Sequence, residues 1–206
     1  MRRFKGDIKD QVDSAFLDRD IGICAKDSTE EEEAAYETLS GLDFQAIDEE
    51  GSGDMLFRTT LEKAMFSSPA ACLETVENRI ERLEAEEDPA YQHDVQQLRG
   101  LAGELREIGP EEFSKYQRLL ELLKGPSGLN WDGTDPEDRL VIFSERLETL
   151  RFLEAHLQAE LDLPEEAIQK LHGGLSDVEQ QEVVEAFGKD EEDVRLLLAS
   201  DNAAEV

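Results

Sequence analysis

The residues best suited to chemistry lie in the last third of the chain, in three short clusters. Ser144 follows the apolar run Leu140-Val141-Ile142-Phe143. His172-Gly173-Gly174-Leu175-Ser176 follows Ile168-Gln169-Lys170-Leu171, and Ser200-Asp201-Asn202 follows Val194-Arg195-Leu196-Leu197-Leu198-Ala199. Small or polar residues in such places allow close approach to a phosphate, and a helix N-terminus behind them adds N–H donors. Each cluster also has a local reading. Ser144 suits a cap on the following helix, and Ser176 with Glu179 spells a capping box behind a tight turn at Gly173 and Gly174. His172 reads as a structural histidine, and His93 and His156 are too distant in sequence to complete a metal site with it.

Other chemistry is thin. Gly188-Lys189, the only Gly-Lys pair, is followed by Asp190, so the chain contains no phosphate-cradling glycine loop with Lys and Ser/Thr. Asp190-Glu191-Glu192-Asp193 has the carboxylates for a magnesium ion, but it precedes a strand-like run instead of following one and reads as a solvated turn. Cys24 and Cys72 share no metal-ligand spacing and imply no disulfide framework. Both read as buried free thiols in a reducing cytosol. No nucleophile–base pair or carboxylate cluster converges in the sequence.

The elements around the three clusters set their geometry. Strand-like runs near 140, 168 and 194 alternate with helical patterns over 147–161 and up to Phe187, which predicts βαβ units and a parallel sheet. Open parallel sheets bind ligands at the carboxyl ends of their strands, where the three clusters fall. The predicted core comprises Val141, Phe143, Leu150, Leu153, Leu171, Phe187, Leu196 and Leu198. Ahead of this part, Ile21 and Ile23 suggest a short strand, Thr29 and Glu32 a capping box for a helix through Leu39, and the acidic, Gly-containing stretch 41–53 a mobile loop. Leu56 to Met65, the stripe Cys72, Val76, Ile80 and Leu83, the set from Tyr91 to Leu105, and the set from Phe113 to Leu123 each fit a helix. Pro110 suits the first turn of the last of these. The chain thus divides into a mostly helical region (1–124), a Gly/Pro linker (125–138) carrying Trp131 as a groove plug, and an α/β region (139–206).

The order of motifs in the α/β region resembles the second RecA-like lobe of a superfamily 2 helicase, in the Swi/Snf-type ATPase group that includes RapA-like proteins. Leu140 to Ser144 is similar to helicase motif IV. Leu171-His172-Gly173-Gly174-Leu175-Ser176 with Glu179 and Phe187 is similar to the segment that follows it. Leu197 to Glu205 is similar to motif V, and Arg2-Arg3-Phe4-Lys5-Gly6-Asp7-Ile8 to the stretch that joins the two lobes. Spacings of roughly 30 and 25 residues are those of βα units. Gln180-Gln181 departs from the pattern, since many relatives carry Arg there. The resemblance implies a partial RecA-like C-terminal helicase lobe of three parallel strands with helices. It implies that Ser144, Gly173, Gly174, Ser200, Asp201 and Asn202 face nucleic acid. It also implies partners: a first RecA-like lobe, double-stranded DNA, and ATP with magnesium in the complete protein. This chain itself would hold no cofactor or metal and would not hydrolyse ATP, because that needs a phosphate loop, a magnesium carboxylate and a charge-stabilising arginine together.

Composition narrows the alternatives. Lys+Arg of 21 against Asp+Glu of 51 gives a net charge of −30 over 206 residues, which suits either a plain acidic cytoplasmic surface or a salty cytoplasm that screens self-repulsion. Such charge argues against the chain alone gripping nucleic acid, which needs clustered Lys and Arg; Arg2, Arg3, Lys5 and Lys9 form the only basic cluster. No apolar run approaches a membrane span, and no hydrophobic signal region follows Met1-Arg2-Arg3. The expectations are therefore a cytoplasmic fragment of a nucleic-acid-dependent motor, or an acidic protein-interaction module without catalysis.

Overall fold

The computed structural model describes residues 21–49, 52–125 and 128–200. Helices α1 (Glu30–Ser40), α2 (Ala46–Glu49), α3 (Ser52–Ser67), α4 (Pro69–Ala85), α5 (Gln92–Arg106) and α6 (Ser114–Lys124) come first. They are followed by β1 (Leu140–Phe143), α7 (Leu147–Glu160), β2 (Ile168–Leu171), α8 (Asp177–Phe187) and β3 (Leu196–Ala199). The fold class is α/β. The strands run parallel in the order β1-β3-β2, with Phe143, Ala199 and Leu171 on one rung.

Local sequence explains most helix boundaries. Thr29 and Glu32 form the capping box of α1, and four glutamates crowd its first turn, where the helix dipole favours negative charge. The Glu32 carboxylate also accepts from Ser114 N at 3.2 Å, tying the start of α1 to the start of α6. Ser68 caps α4, Pro69 occupies its first turn, and Cys72, Val76 and Leu83 are buried along its inner face. Pro110 lies in a turn before α6, whose first residue is Ser114, so it does not open that helix.

The sheet divides its residues by alternation. Leu196 and Leu198 face α7 and join the main core with Ile168, Leu140 and Ile142, while Leu197, Ala199 and Leu171 face α8 with Val141, Val183 and Phe187. Leu150, Leu153 and Leu157 bury α7, which also packs against α4. At the α6–α7 contact, the Phe152 ring lies 5.5 Å from Phe113 and 5.4 Å from Tyr116, both edge-on. Burial, followed by the nearby Glu160 charge, pushes the Tyr116 hydroxyl up to about 12. Trp131 is buried beside this seam and donates from Nε1 to Asp138 O at 2.9 Å. Gly133 adopts φ +72, which favours glycine, and a Cβ there would sit 2.8 Å from Leu163 Cδ2 and displace that side chain. The helices and the sheet share one apolar core.

Several expectations are corrected. Residues 21–26 form no strand: Ile21 and Ile23 are exposed, and Cys24 is exposed with them. The alternating pattern there finds no neighbouring strand to pair with among the described residues. Within 41–53, Leu42, Phe44 and Ile47 are core residues and α2 is helical, so the described part is packed structure. Its anchor is Asp94 on α5, fully buried, whose carboxylate accepts from Gln45 N and Ile47 N, each at 2.8 Å. Phe143 is 57% exposed, because β1 lies at a sheet edge and α8 packs over β2 on that face.

Asp94→Ala deletes the acceptor for the buried Ile47 N–H and the part-buried Gln45 N–H. It is expected to lower unfolding free energy in urea by about 3 kcal/mol, with Asp94→Asn costing roughly half as much. Burial pushes the Cys72 thiol up to about 12, against a smaller opposing pull from Arg146. Ellman's reagent at pH 8 is therefore expected to titrate one thiol, Cys24, in the native protein and both only in denaturant.

Candidate functional site

Three parallel strands ending on one rung bring their following residues to one edge. Ser144 N donates to Ala199 O at 3.0 Å, and Ser200 N donates to Leu171 O at 2.8 Å, which carries the ladder one residue past each strand. Ser144, Ser200 and the turn His172–Gly174 therefore share the carboxyl edge of the sheet. Asp201 and Asn202 lie outside the described residues.

Ser144 is half-buried and does not cap α7. That helix has Arg146 at its N-cap without a side-chain bond, and the Ser144 hydroxyl accepts from Arg146 N at 3.3 Å. It also lies 3.4 Å from Ser67 Oγ. Behind it the Thr149 hydroxyl is 2.8 Å from Ser67 Oγ and 2.7 Å from Ser68 Oγ. This hydroxyl cluster fastens the α3–α4 junction to the first turn of α7. Sequence reasoning passed over Ser67, Ser68 and Thr149, because nothing in the spacing of 67 and 149 announces a contact.

The β2 turn is self-satisfied. Gly174 N donates to His172 Nδ1 at 3.1 Å, and Leu175 N donates to His172 O at 3.1 Å. A neutral His172 therefore carries its proton on Nε2. Gly174 does not occupy the left-handed region. A Cβ at Gly174 would lie 3.0 Å from His172 Nδ1, so a larger residue there would have to push the imidazole aside by a few tenths of an ångström. Ser176 and Glu179 form a reciprocal capping box, and the Ser176 hydrogen bonds hold the Glu179 carboxyl below its ordinary range.

Charge does not converge on this edge. Arg146 points its guanidinium back at Thr60 O, 3.5 Å away. Arg139, which leads into β1, pairs with Asp190 ahead of β3, so Asp190 belongs to the opposite, amino end of the sheet. Among the described residues no group of three His, Cys, Asp or Glu is placed to hold a metal ion, and no helix is long and apolar enough to cross a membrane. The edge thus gathers the Ser144 hydroxyl and the His172 imidazole, while Ser200 is buried and the N–H groups of Ser144, Gly174, Leu175 and Ser200 are engaged within the chain. No family model, curated protein or solved structure matches this chain.

His172→Ala removes the acceptor for Gly174 N on a solvent-facing turn. A loss of about 1 kcal/mol in urea unfolding, with far-UV dichroism unchanged, is the expected result.

Proposed function

We propose that this chain supplies part of the second RecA-like lobe of a nucleic-acid-dependent, Swi/Snf-type ATPase motor. The observation that carries the reading is the gathering of Ser144, the turn His172–Gly174 and Ser200 at the carboxyl edge of a parallel sheet, in the motif order quoted from the sequence. The resemblance assigns Ser144, Gly173, Gly174, Ser200, Asp201 and Asn202 to contact with the sugar–phosphate backbone. Exposed Phe143 on the edge strand β1 lends support, since a further strand and helix of a complete lobe would cover that face. The remaining parts of such a motor are a first RecA-like lobe, ATP with magnesium, and double-stranded DNA. On this reading the chain positions a nucleic-acid backbone and catalyses nothing alone.

A second reading, an acidic protein-interaction module, is favoured by one observation: a charge of −30 with no free cation described at the carboxyl edge. ATP turnover in high salt, with and without duplex DNA, separates the two. The 206-residue chain is expected to stay at background. A version extended in both directions along its gene is expected to hydrolyse ATP faster when duplex DNA is added. Failure of the extended version to do so, with both proteins folded, would reject the motor reading.

A further inference from the structure

A groove of about 720 Å³ follows the outer edge of β2. Because the strand order is β1-β3-β2, that edge pairs with no other strand among the described residues. Ala167 O and Leu171 O accept bonds from the β3 side, so by alternation Ile168 and Lys170 turn their main-chain groups outward. Ile168 N is used locally by Glu165 O. The Ile168 carbonyl and both Lys170 main-chain groups have no hydrogen-bond partner among the described residues. The Lys170 side chain, which would otherwise guard the edge, folds back onto Glu154 of α7 at 2.5 Å.

The walls define what would fit. Leu175, Val183 and Ala186 give the α8 side an apolar lining. Glu165 and Glu166, Glu182, and the pair Glu192 and Asp193 also line the groove, and none of these five has an ion-pair partner among the described residues. We propose that β2 takes an extended peptide of a partner protein as an added strand, one alternating small apolar residues with Lys or Arg. Main-chain bonds to Ile168 O and Lys170 supply attachment, and the five carboxylates select the cationic side chains. A second copy of this chain is disfavoured as occupant, since β2 against β2 would oppose two sets of carboxylates. Nucleic acid is disfavoured for the same reason. The inference stands whether or not the motor reading holds.

The test uses the full chain and two labelled peptides of equal charge, acetyl-(Lys-Val)4-amide and acetyl-(Lys-Pro)4-amide, followed by fluorescence anisotropy at moderate and high salt. The valine peptide is expected to bind at least about tenfold tighter, because proline cannot join a strand ladder. It is also expected to slow amide exchange at Lys170. Lys170→Pro removes the outward donor and is expected to abolish the difference. Glu165→Gln with Glu166→Gln and Glu182→Gln, which leaves the strand intact, is expected to weaken the valine peptide at least fivefold. Equal binding of the two peptides would reduce the effect to bulk charge and overturn the proposal, as would no binding at all. Protection of Lys170 without peptide that disappears on deleting residues 1–20 would instead assign the edge to the chain's own leading segment, and would overturn a partner in trans.

Discussion

A parallel sheet of three strands is stable only if both of its faces are kept from water, and that requirement organises the whole chain. The β3 strand, with Leu196, Leu197, Leu198 and Ala199 all buried, has no solvent side. One face is met by α8. The other is met by α7, a helix that needs cover of its own where the Phe152 ring and the buried Thr149 hydroxyl meet Phe113, Tyr116 and Ser68. The helices before β1 answer that second need. They form a layer over α7 and do not stand as a separate body, which is why aromatic side chains and the hydroxyls of Ser67, Ser68 and Thr149 meet at the α7 seam.

This dependence gives different residues different kinds of importance. The leucines of α7 and β3 supply burial, and any apolar residue of similar volume would serve them nearly as well. Asp94 is less replaceable. From a fully buried position it satisfies the Gln45 and Ile47 N–H groups, and through them it holds Phe44 and Ile47 against the helical layer. The carboxyl edge depends on both kinds. Its rung is set by the β1–β3–β2 register, while the placing of Ser144 also involves Ser67 in the layer above.

The parts of this architecture legible in the sequence were those governed by near neighbours along the chain. Apolar runs marked strands near 140 and 194, the stretch from Ile168 to Leu171 marked a third between them, and Thr29 with Glu32 and Ser176 with Glu179 marked two helix starts. Once the strands were read as parallel, the gathering of Ser144, the His172 turn and Ser200 at one end followed from topology alone. What stayed hidden was decided at long range. Asp94 looks like any surface carboxylate on a helix until residues nearly fifty positions earlier fold over it. Phe143 belongs to an apolar run like the others, and only its place at a sheet edge leaves it wet. Ile21 and Ile23 alternate as a strand would, yet a strand needs a neighbour, and none is described for them.

Trp131 has a consequence of a practical kind. It is the only tryptophan in the chain, and its ring is enclosed at the seam between the end of α6 and the approach to β1, with the indole N–H held by Asp138 O. Light absorbed at the red edge of the protein spectrum is therefore absorbed at a single known address. A red shift of its emission would register the helical layer parting from the sheet, without any label being attached and without interference from a second indole.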